Sequence, residues 1–247
     1  MQPMQGPLRI TVLTGAGMSA ESGIATFHDA LTGLWSRFDP AELACEAGFR
    51  RDPALLWGWY RWRAAQVMQC EPNAGHRGLA ALADAGHDVR IVTQNVDDLH
   101  ERAGSREVVH LHGHLLRSRC IDCGAMREPE PMQDRLNDVP PDGGREPPPR
   151  CDNCGGDYRP GVVWFGEALP ETAWQQASDA ASDCDLMVVI GTSGLVQPAA
   201  SLPMLAKRRD ARVIEINPQA TPLSDLADEH WACGAVAGSA RLMRMLA

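Results

Sequence analysis

The amino-acid sequence predicts an α/β fold in which a doubly wound parallel sheet carries a small cysteine-rich insert. Three observations lead to this prediction. Short β-branched runs alternate with helical segments along the chain, a glycine-rich turn follows the first run, and two Cys-x-x-Cys pairs flank a proline-rich stretch. Alternating strands and helices form parallel sheets with helices on both faces, so most of the chain is expected to be Rossmann-like.

Composition and charge exclude several classes of protein. The chain has 247 residues, 44% of them hydrophobic, which suffices for one large domain with a small insert. Its 32 acidic residues outnumber 23 basic ones, and the formal charge of -9 argues against a nucleic-acid partner. No apolar run is long enough for a membrane span, and residues 1–7 lack a signal-peptide pattern. We therefore expect a cytoplasmic protein without a membrane partner. A monomer is taken as its working state, although no pattern in the sequence indicates the oligomeric state.

A glycine-rich turn follows the first predicted strand, residues 8–13. Gly15, Gly17 and Ala20 match the loose pattern GxGxxG/A, with Ala16 and Ser19 between them. Glycines in this position let the backbone approach a pyrophosphate, whose charge then meets free N–H groups at the start of the next helix. Such turns are also common without a ligand, so the pattern alone leaves both interpretations open.

A helix is predicted over residues 53–69, with proline in its first turn. Tyr60 and Arg63 lie three residues apart on this helix and therefore share a face. A guanidinium beside a phenol on an apolar stripe either extends to the surface or binds a carboxylate with its planar fork. The spacing alone favours the first interpretation, in which the guanidinium extends to the surface. Asn73 predicts the N-cap of the following helix, residues 74–85.

The second predicted strand, residues 89–93, ends in a polar segment. Gln94, Asn95 and Asp97 follow it directly. Open α/β sheets hold their ligands at this end of the strands, although the same residues would also serve simply to cap the next helix. The two interpretations are compatible.

Histidines surround the end of the third predicted strand, residues 107–111. His110, His112 and His114 alternate and would point to one face of an extended chain, where they could bind a metal. We favour another interpretation, because Gly113 is expected to end the strand and a complete set of cysteine ligands follows. His112 is then a single imidazole at a strand end, suited to accept a proton.

Two Cys-x-x-Cys pairs give the strongest local signal in the sequence. They are Cys120 with Cys123, and Cys151 with Cys154. Four thiolates complete a tetrahedral site and leave no position for water, so we expect one structural Zn²⁺ per chain. The stretch between the pairs is rich in proline and charge and cannot form a core of its own. The metal is therefore expected to hold a small zinc-binding domain together.

After the cysteines the chain is expected to return to the main sheet. The remaining predicted elements are strands over residues 162–167, 185–190 and 212–216 and helices over residues 170–183 and 198–209. The last two strands end in Gly191-Thr192-Ser193 and Asn217-Pro218. The predicted domains are a Rossmann-like part, residues 1–113 and 161–247, and a small domain. The small domain consists of a zinc-binding module, residues 114–160, and a further helical segment at about 28–70.

Taken in this order, the motifs resemble those of the sirtuin family of NAD-dependent protein lysine deacylases. The matching stretches cover nearly the whole chain. They are Gly15-Ala16-Gly17-Met18-Ser19 through Ser22-Gly23-Ile24, Thr93-Gln94-Asn95-Val96-Asp97, His112-Gly113, the four cysteines, Val163-Trp164-Phe165-Gly166-Glu167, Gly191-Thr192-Ser193 and Ile216-Asn217-Pro218. The resemblance implies a large domain that holds NAD, a small zinc domain, and acylated lysine side chains of proteins as substrates.

The resemblance also assigns roles to the matched positions. The residues that it places around NAD are Gly15, Ala16, Gly17, Ser19, Ala20, His28, Gln94, Asn95, Asp97, Gly191, Thr192, Ser193 and Asn217. Those that it places along the substrate backbone are Val163, Trp164, Phe165 and Gly166, as an added strand. His112 would remove a proton from a ribose hydroxyl, and the products would be nicotinamide, free lysine and O-acyl-ADP-ribose.

Tyr60 and Arg63 gain a second interpretation from the resemblance. In the class III branch of the family, a Tyr-x-x-Arg pair recognises the terminal carboxylate of succinyl, malonyl or glutaryl lysine. This chain has the pair ahead of Glu71-Pro72-Asn73-Ala74-Gly75-His76, as that branch does. The resemblance therefore implies removal of succinyl and malonyl groups together with weaker deacetylation, and Ala44 would leave room for the longer acyl chain.

One position departs from the family pattern. Phe27 is followed by His28, where the family has an arginine that helps to position NAD and the reacting ribose. This departure keeps two alternatives open. The first is mono-ADP-ribosyl transfer from the same NAD site, and the second is a weakly active NAD-binding scaffold.

Overall fold

The computed structural model describes residues 6–24, 40–127, 138–140 and 143–246. Within these ranges the strands are β1 Arg9–Thr14, β2 Asp88–Thr93, β3 Val108–His110, β4 Gly113–Cys120, β5 Met126–Arg127, β6 Tyr158–Val162, β7 Leu186–Ile190, β8 Arg212–Ile216 and β9 Glu229–Trp231. The helices are α1 Ala16–Ala20, α2 Pro40–Leu43, α3 Glu46–Arg51, α4 Pro53–Gln69, α5 Ala74–Asp84, α6 Leu99–Arg102, α7 Glu171–Ser182, α8 Leu202–Lys207 and α9 Ala235–Leu246, with a 3-10 turn at Ala199–Ser201. None of the described helices has the length and apolar character that a membrane crossing requires.

The chain divides into two compact units. The described residues of Met1–Ile24, Glu71–Leu111 and Leu169–Ala247 form the first unit, and those of Ala25–Cys70 and His112–Ala168 form the second. The first unit contains β1, β2, β3 and β7 to β9, and the second contains α2 to α4 and β4 to β6.

A six-stranded parallel sheet with the order β3-β2-β1-β7-β8-β9 forms the centre of the first unit. The chain begins in the middle at β1, extends outward to β3, and then returns to place β7 on the other side of β1. This is the doubly wound topology that the alternation of strands and helices predicts, and the predicted fold class is confirmed.

Successive residues of the central strands face two separate cores. Val12 of β1 packs in one core with Leu79 of α5 and Leu242 of α9. Leu13 faces the opposite core, which includes Leu202 of α8. Because neighbouring side chains of a strand point to opposite faces, helices must cover both sides of the sheet. The continuous apolar runs of the strands follow from this double burial.

Most predicted elements are confirmed to within a few residues. The helix α4 has its predicted bounds, and the Asn73 side chain caps α5 by accepting hydrogen bonds from the backbone N–H groups of Gly75 (2.8 Å) and His76 (3.2 Å). Two further elements, β9 and α9, are not predicted from the sequence. The strand β9 has only three residues, and α9 contains Gly238, which lies where a side chain would overlap Ile216.

The second unit contains a three-stranded antiparallel sheet with the order β5-β4-β6. Gly113, at φ +77°, begins β4, while β3 ends at His110 and a turn separates them. The three histidines therefore do not alternate along one strand. The prediction that Gly113 ends the third strand is wrong, because that strand ends at His110. The bounds predicted for a strand at residues 162–167 are also wrong, because β6 ends at Val162 and the following residues are irregular.

Residues 143–146, which lie between the two cysteine pairs of the insert, contact α4 within the second unit. Gly58 of α4 lies so close to the Gly144 carbonyl oxygen that any side chain at position 58 would overlap it. Arg145 donates two hydrogen bonds of 2.6 Å to the carboxylate of Asp52, the N-cap of α4, and so lowers the pKa of that carboxyl below its ordinary value. Backbone and side-chain contacts therefore join the insert to this helix.

Two buried histidines in the first unit predict acid sensitivity. His76 is fully buried, and its ring lies 4.8 Å from that of His100. Burial, together with the charge of Arg77, lowers the pKa of His76 to about 4, and burial also lowers the pKa of His100. The unfolded chain therefore binds more protons than the folded chain below pH 6.5, so stability falls as the pH falls.

We expect the free energy of unfolding to decrease by about 3 kcal/mol through His76 alone as the pH falls from about 6.5 to about 4. The variant His76→Met should show a correspondingly smaller decrease in urea titrations at pH 7 and pH 4.5. The same substitution at half-buried His87 serves as the matched control. Equal acid sensitivity of His76→Met and the unsubstituted protein would contradict the assignment.

Candidate functional site

Predicted site residues lie at the carboxyl ends of four neighbouring strands of the first unit. Gly15 follows β1, Gln94 follows β2, Gly191 follows β7 and Asn217 follows β8. Because the strands are parallel, these ends share one edge of the sheet, and β1 lies beside β7 where the strand order reverses. In doubly wound folds this edge is where ligands bind.

Close backbone contact joins the glycine turn to the end of β7. The Gly17 N–H donates to the Gly191 carbonyl oxygen (2.8 Å), and a Cβ on Gly17 would lie 2.7 Å from the Gly191 Cα. Gly191 itself has φ +62°, a conformation that favours glycine. Ala16 and Ala20 are exposed beside the turn. The glycines therefore serve the close packing of two backbones, at a strand end that also suits a phosphate.

Ser19 connects the glycine turn to the polar segment after β2. Its hydroxyl donates to Asp97 Oδ2 (2.9 Å) and accepts from Asn95 Nδ2 (3.0 Å). All three residues are buried, and burial raises the pKa of the Asp97 carboxyl above its ordinary value. The structure thus brings together three residues that the sequence analysis placed around one ligand.

The ends of β2, β7 and β8 are joined in the same way. Gln94 Nε2 donates to Thr192 Oγ1 (2.8 Å), and Asn217 Nδ2 donates to the Thr192 carbonyl oxygen (2.8 Å). Ser193, the next residue, is exposed. Thr192 is therefore the shared partner of two predicted site residues.

Several supporting residues were not assigned to this site from the sequence. Thr14 Oγ1 donates to Thr93 Oγ1 (2.8 Å), which in turn accepts from the Asn95 N–H (3.0 Å). His110 lies 2.6 Å from Glu101 Oε1 and 3.1 Å from the Asn95 carbonyl oxygen through its two ring nitrogens. The threonines at the ends of β1 and β2 were a usable signal, because a hydroxyl inside an apolar run needs a partner.

In the second unit, His112 lies half buried in the turn before β4. Its carbonyl oxygen accepts a hydrogen bond from the Val163 N–H (2.8 Å). The Phe165 N–H donates to the Ala44 carbonyl oxygen (3.0 Å), and Gly166 is exposed at φ +86°. The candidate base and the segment that follows β6 are therefore held against each other.

Tyr60 and Arg63 lie on α4 in the same unit. Tyr60 is 7% exposed, and its hydroxyl oxygen accepts a hydrogen bond from Trp164 Nε1 (2.9 Å). Burial raises the pKa of Tyr60, so the phenol keeps its proton at neutral pH. Arg63, one turn later, is half buried. A buried, hydrogen-bonded phenol is not part of a solvated surface.

The four cysteines form a compact cluster whose sulfur atoms all lie within 4.8 Å of one another. Cys120 Sγ is 3.4 Å from Cys154 Sγ, and Cys123 Sγ is 3.7 Å from Cys151 Sγ. Four thiolates at about 2.3 Å from a tetrahedral Zn²⁺ would lie about 3.8 Å apart, so the cluster fits this ion. The predicted ligand set is thus brought together in a geometry suited to structural zinc.

His28, the predicted NAD-binding residue that departs from the family pattern, lies outside the described residues. Two other charged residues were overlooked as contributors to the second unit. Arg159 and Glu167 flank the segment of residues 160–166 and bond to each other. An arginine inside an otherwise apolar strand run was the available signal, since a buried guanidinium requires a partner.

The first unit defines an α/β protein of the dinucleotide-binding class, and the second adds a four-thiolate metal site and a half-buried histidine. Comparison with known proteins agrees with this class. The model of the Sir2 family matches residues 15–198. The chain belongs to the Sir2 family, and the resemblance to sirtuins is confirmed.

Individual relatives are similar over most of their length. The chain is 56% identical over 218 residues to "NAD-dependent protein deacylase 1" of Pseudomonas aeruginosa, covering 87% of this chain and 85% of that protein. A solved Sir2 homolog–NAD complex is 45% identical with a TM-score of 0.83, over 95% of this chain and 88% of that one. A structure of Sir2 bound to acetylated peptide is 31% identical with a TM-score of 0.79, over 95% and 92% respectively.

Proposed function

We propose that this protein is an NAD-dependent protein lysine deacylase that removes succinyl and malonyl groups and, more slowly, acetyl groups. Membership of the Sir2 family supports the deacylase activity. The observation that carries the acidic acyl preference is the buried Tyr60 hydroxyl, one helical turn before Arg63 on α4. The products are free lysine, nicotinamide and O-acyl-ADP-ribose.

The strand ends of the first unit are the proposed NAD site. Gly15, Ala16, Gly17, Ser19 and Ala20 would lie along the phosphates, where the short helix α1 begins. The residues proposed for the nicotinamide and its ribose are Gln94, Asn95 and Asp97, and those for the adenosine side are Gly191, Thr192, Ser193 and Asn217. The bound co-substrate supplies an electrophilic ribose carbon when nicotinamide leaves.

His112 is the proposed general base. Its imidazole would accept a proton from a ribose hydroxyl, so that this oxygen becomes nucleophilic toward the acyl carbon. The hydrogen bond between the Val163 N–H and the His112 carbonyl oxygen holds the backbone of this residue in place. The base is thus attached to the same unit that would recognise the acyl-lysine.

Residues Val163, Trp164, Phe165 and Gly166 are the proposed substrate-pairing segment, but only part of its backbone is suited to pairing. The N–H groups of Val163, Trp164 and Phe165 donate within the second unit. The Gly166 N–H has no backbone partner among the described residues. Main-chain pairing with a peptide would therefore use Gly166 and carbonyl oxygens of the segment.

Recognition of the acyl group follows from two different donors. The Tyr60 phenol keeps its proton and accepts from Trp164, so its own O–H is available to a carboxylate. The Arg63 guanidinium offers a planar fork that matches a carboxylate in bidentate fashion. An acetyl group has no carboxylate and would gain from neither.

The variant Arg63→Met tests this preference. We expect kcat/KM for a succinyl-lysine peptide to fall roughly 10- to 150-fold, because hydrogen bonds to charged groups contribute about 1.5–3 kcal/mol. The acetyl-lysine reaction should lose much less, so the ratio of the two rates reports the change. Matched peptides are followed by mass spectrometry with and without NAD, and nicotinamide release is recorded alongside.

Arg51→Met provides the matched control, since Arg51 is exposed on α3 in the same unit. It should leave the succinyl to acetyl ratio unchanged. Equal losses of both activities in Arg63→Met would contradict carboxylate recognition. A preference of the unsubstituted protein for acetyl peptide would retain the deacylase and reject the acidic acyl preference.

We also propose that the protein is cytoplasmic. One structural Zn²⁺ bound by the four cysteines fits a reducing cytoplasm, where thiols are not oxidised to disulfides. Acylated proteins are the proposed partners, with neither nucleic acid nor membrane among them, and the proposed working state is a monomer.

A further inference from the structure

A chain of three groups, two of them buried and one half buried, leads to the Tyr60 hydroxyl in the second unit. It consists of Glu167, Arg159 and Trp164, in contact in that order. The side chains of Arg159 and Trp164 are each only 2% exposed, so neither can contact a bound substrate directly. An effect of these side chains on a bound acyl group would therefore pass through a neighbouring side chain, and Trp164 is hydrogen-bonded to Tyr60.

The Arg159 guanidinium covers the face of the Trp164 indole, with its Cζ 3.2 Å from the ring centroid. The same group donates to the Val162 carbonyl oxygen through Nη2 (2.7 Å) and to the Pro160 carbonyl oxygen through Nε (3.3 Å). The N–H groups of the guanidinium are thus hydrogen-bonded, and its planar face is in contact with the indole ring. Rotation of the Trp164 ring would separate it from the cation.

Glu167 contacts both Arg159 and Trp164. Its carboxylate pairs with Arg159 and accepts a hydrogen bond from the Trp164 backbone N–H (2.8 Å). Burial opposes ionisation of this carboxyl, but the hydrogen bonds from Arg159 and Trp164 prevail and lower its pKa. The buried cation is therefore compensated, and Trp164 is held through both its backbone and its ring.

The free edge of the indole then determines the orientation of the Tyr60 hydroxyl. Trp164 Nε1 donates to the Tyr60 oxygen at 2.9 Å, and an indole nitrogen cannot accept a hydrogen bond in return. The phenolic proton must therefore point away from Trp164. A cation over the indole face also makes its N–H a stronger donor, which in turn strengthens the donation by the phenol.

We propose that Trp164, held by Arg159 and Glu167, is a positioning residue that directs the Tyr60 O–H toward the carboxylate of an acidic acyl group. The inference rests on the proposed acyl preference, and it assigns the origin of that preference to side chains that never contact the substrate. The alternative is that these groups only pack the core of the second unit. The two interpretations differ in whether Trp164 acts through the Tyr60 hydroxyl.

A double-mutant cycle tests the inference. The variants Tyr60→Phe, Trp164→Phe and the double variant are each assayed with succinyl-lysine and acetyl-lysine peptides, and the ratio of kcat/KM values is compared. Tyr60→Phe should lower the succinyl to acetyl ratio at least tenfold, and Trp164→Phe about three- to tenfold. In the Tyr60→Phe background, Trp164→Phe should change the ratio less than twofold.

Trp57→Phe is the matched control. Trp57 is a buried tryptophan on α4 whose Nε1 has no hydrogen-bond partner among the described residues, so the substitution removes the same atoms but no hydrogen bond. It should leave the ratio unchanged. Arg159→Lys, which keeps the charge but lacks the planar group over the indole, should lower the ratio as Trp164→Phe does.

The outcomes separate this inference from the proposed function. A ratio below one in the unsubstituted protein overturns the acyl preference, and with it the inference. The unsubstituted protein could instead prefer succinyl-lysine while Trp164→Phe changes the ratio equally with Tyr60 and with Phe at position 60. That result would support the proposed function and overturn only the inference about Trp164.

If Trp164→Phe does not fold, nuclear magnetic resonance provides the second measurement. Tyr60→Phe should displace one of the seven tryptophan indole N–H signals, other than the signal lost in Trp57→Phe, and Arg159→Lys should displace the same signal. Unchanged indole signals in Tyr60→Phe would overturn the inference.

Discussion

Replacement of His112 by alanine should lower kcat for NAD-dependent deacylation by about a thousandfold. A positioned general base contributes roughly 10²- to 10⁴-fold, and no other histidine of the second unit occupies the turn before β4 within its described residues. The affinity for NAD should change little, because those residues proposed to hold NAD that the structure describes belong to the first unit. Deacylation is followed by mass spectrometry, and NAD binding by calorimetry.

His114→Ala is the matched control for His112→Ala. His114 lies two residues later, within β4, and its Nδ1 accepts a hydrogen bond from the Leu116 N–H (3.2 Å). It should retain most of the activity. Loss of deacylation in both variants to the same extent would indicate a structural effect. Transfer of labelled ADP-ribose to protein that survives in His112→Ala would favour mono-ADP-ribosyl transfer over deacylation.

Removal of the metal should unfold the cysteine-rich part of the second unit. Cys120 and Cys151 are buried beside Trp57 and Tyr158, which form a small apolar cluster. Such a cluster buries too little surface to be stable alone, whereas structural zinc sites contribute about 10–16 kcal/mol of apparent free energy in small peptides. We expect one zinc per chain in the unsubstituted protein. The variant Cys151→Ala should lose the zinc and the thermal transition that reports unfolding of this cysteine-rich part.

Cys233→Ala serves as the control for Cys151→Ala, because Cys233 is a half-buried free thiol in the first unit. It should keep one zinc per chain and an unchanged thermal transition. Elemental analysis and circular dichroism measure the two quantities. A folded, active protein that contains no zinc would refute the four-thiolate site.

Most of the structure that could be predicted from the sequence depends on residues that are close together in the chain. The cysteine pairs, the Asn73 cap and the polar ends of the strands are local patterns, and parallel strands bring their carboxyl ends together whatever the loops do. The contact between Gly17 and Gly191 illustrates this: each glycine was identified from its own turn, although their pairing was not.

The network around Tyr60 could not be predicted in the same way. Tyr60 and Trp164 are 104 residues apart, and no periodicity within either segment indicates their hydrogen bond. Arg159 lies in an apolar run, where a charged residue normally marks an exposed strand edge. Its burial depends on Glu167, and only the folded chain shows this compensation.

The contact between Gly58 and Gly144 has a consequence for changing the acyl range of this protein by design. The helix that carries Tyr60 and Arg63 contacts the backbone of the insert at Gly58, and Arg145 binds the N-cap of this helix, Asp52. Enlarging residues on α4 alone would strain this junction. Libraries aimed at new acyl groups should therefore vary residues 143–146 together with α4, as one unit of selection.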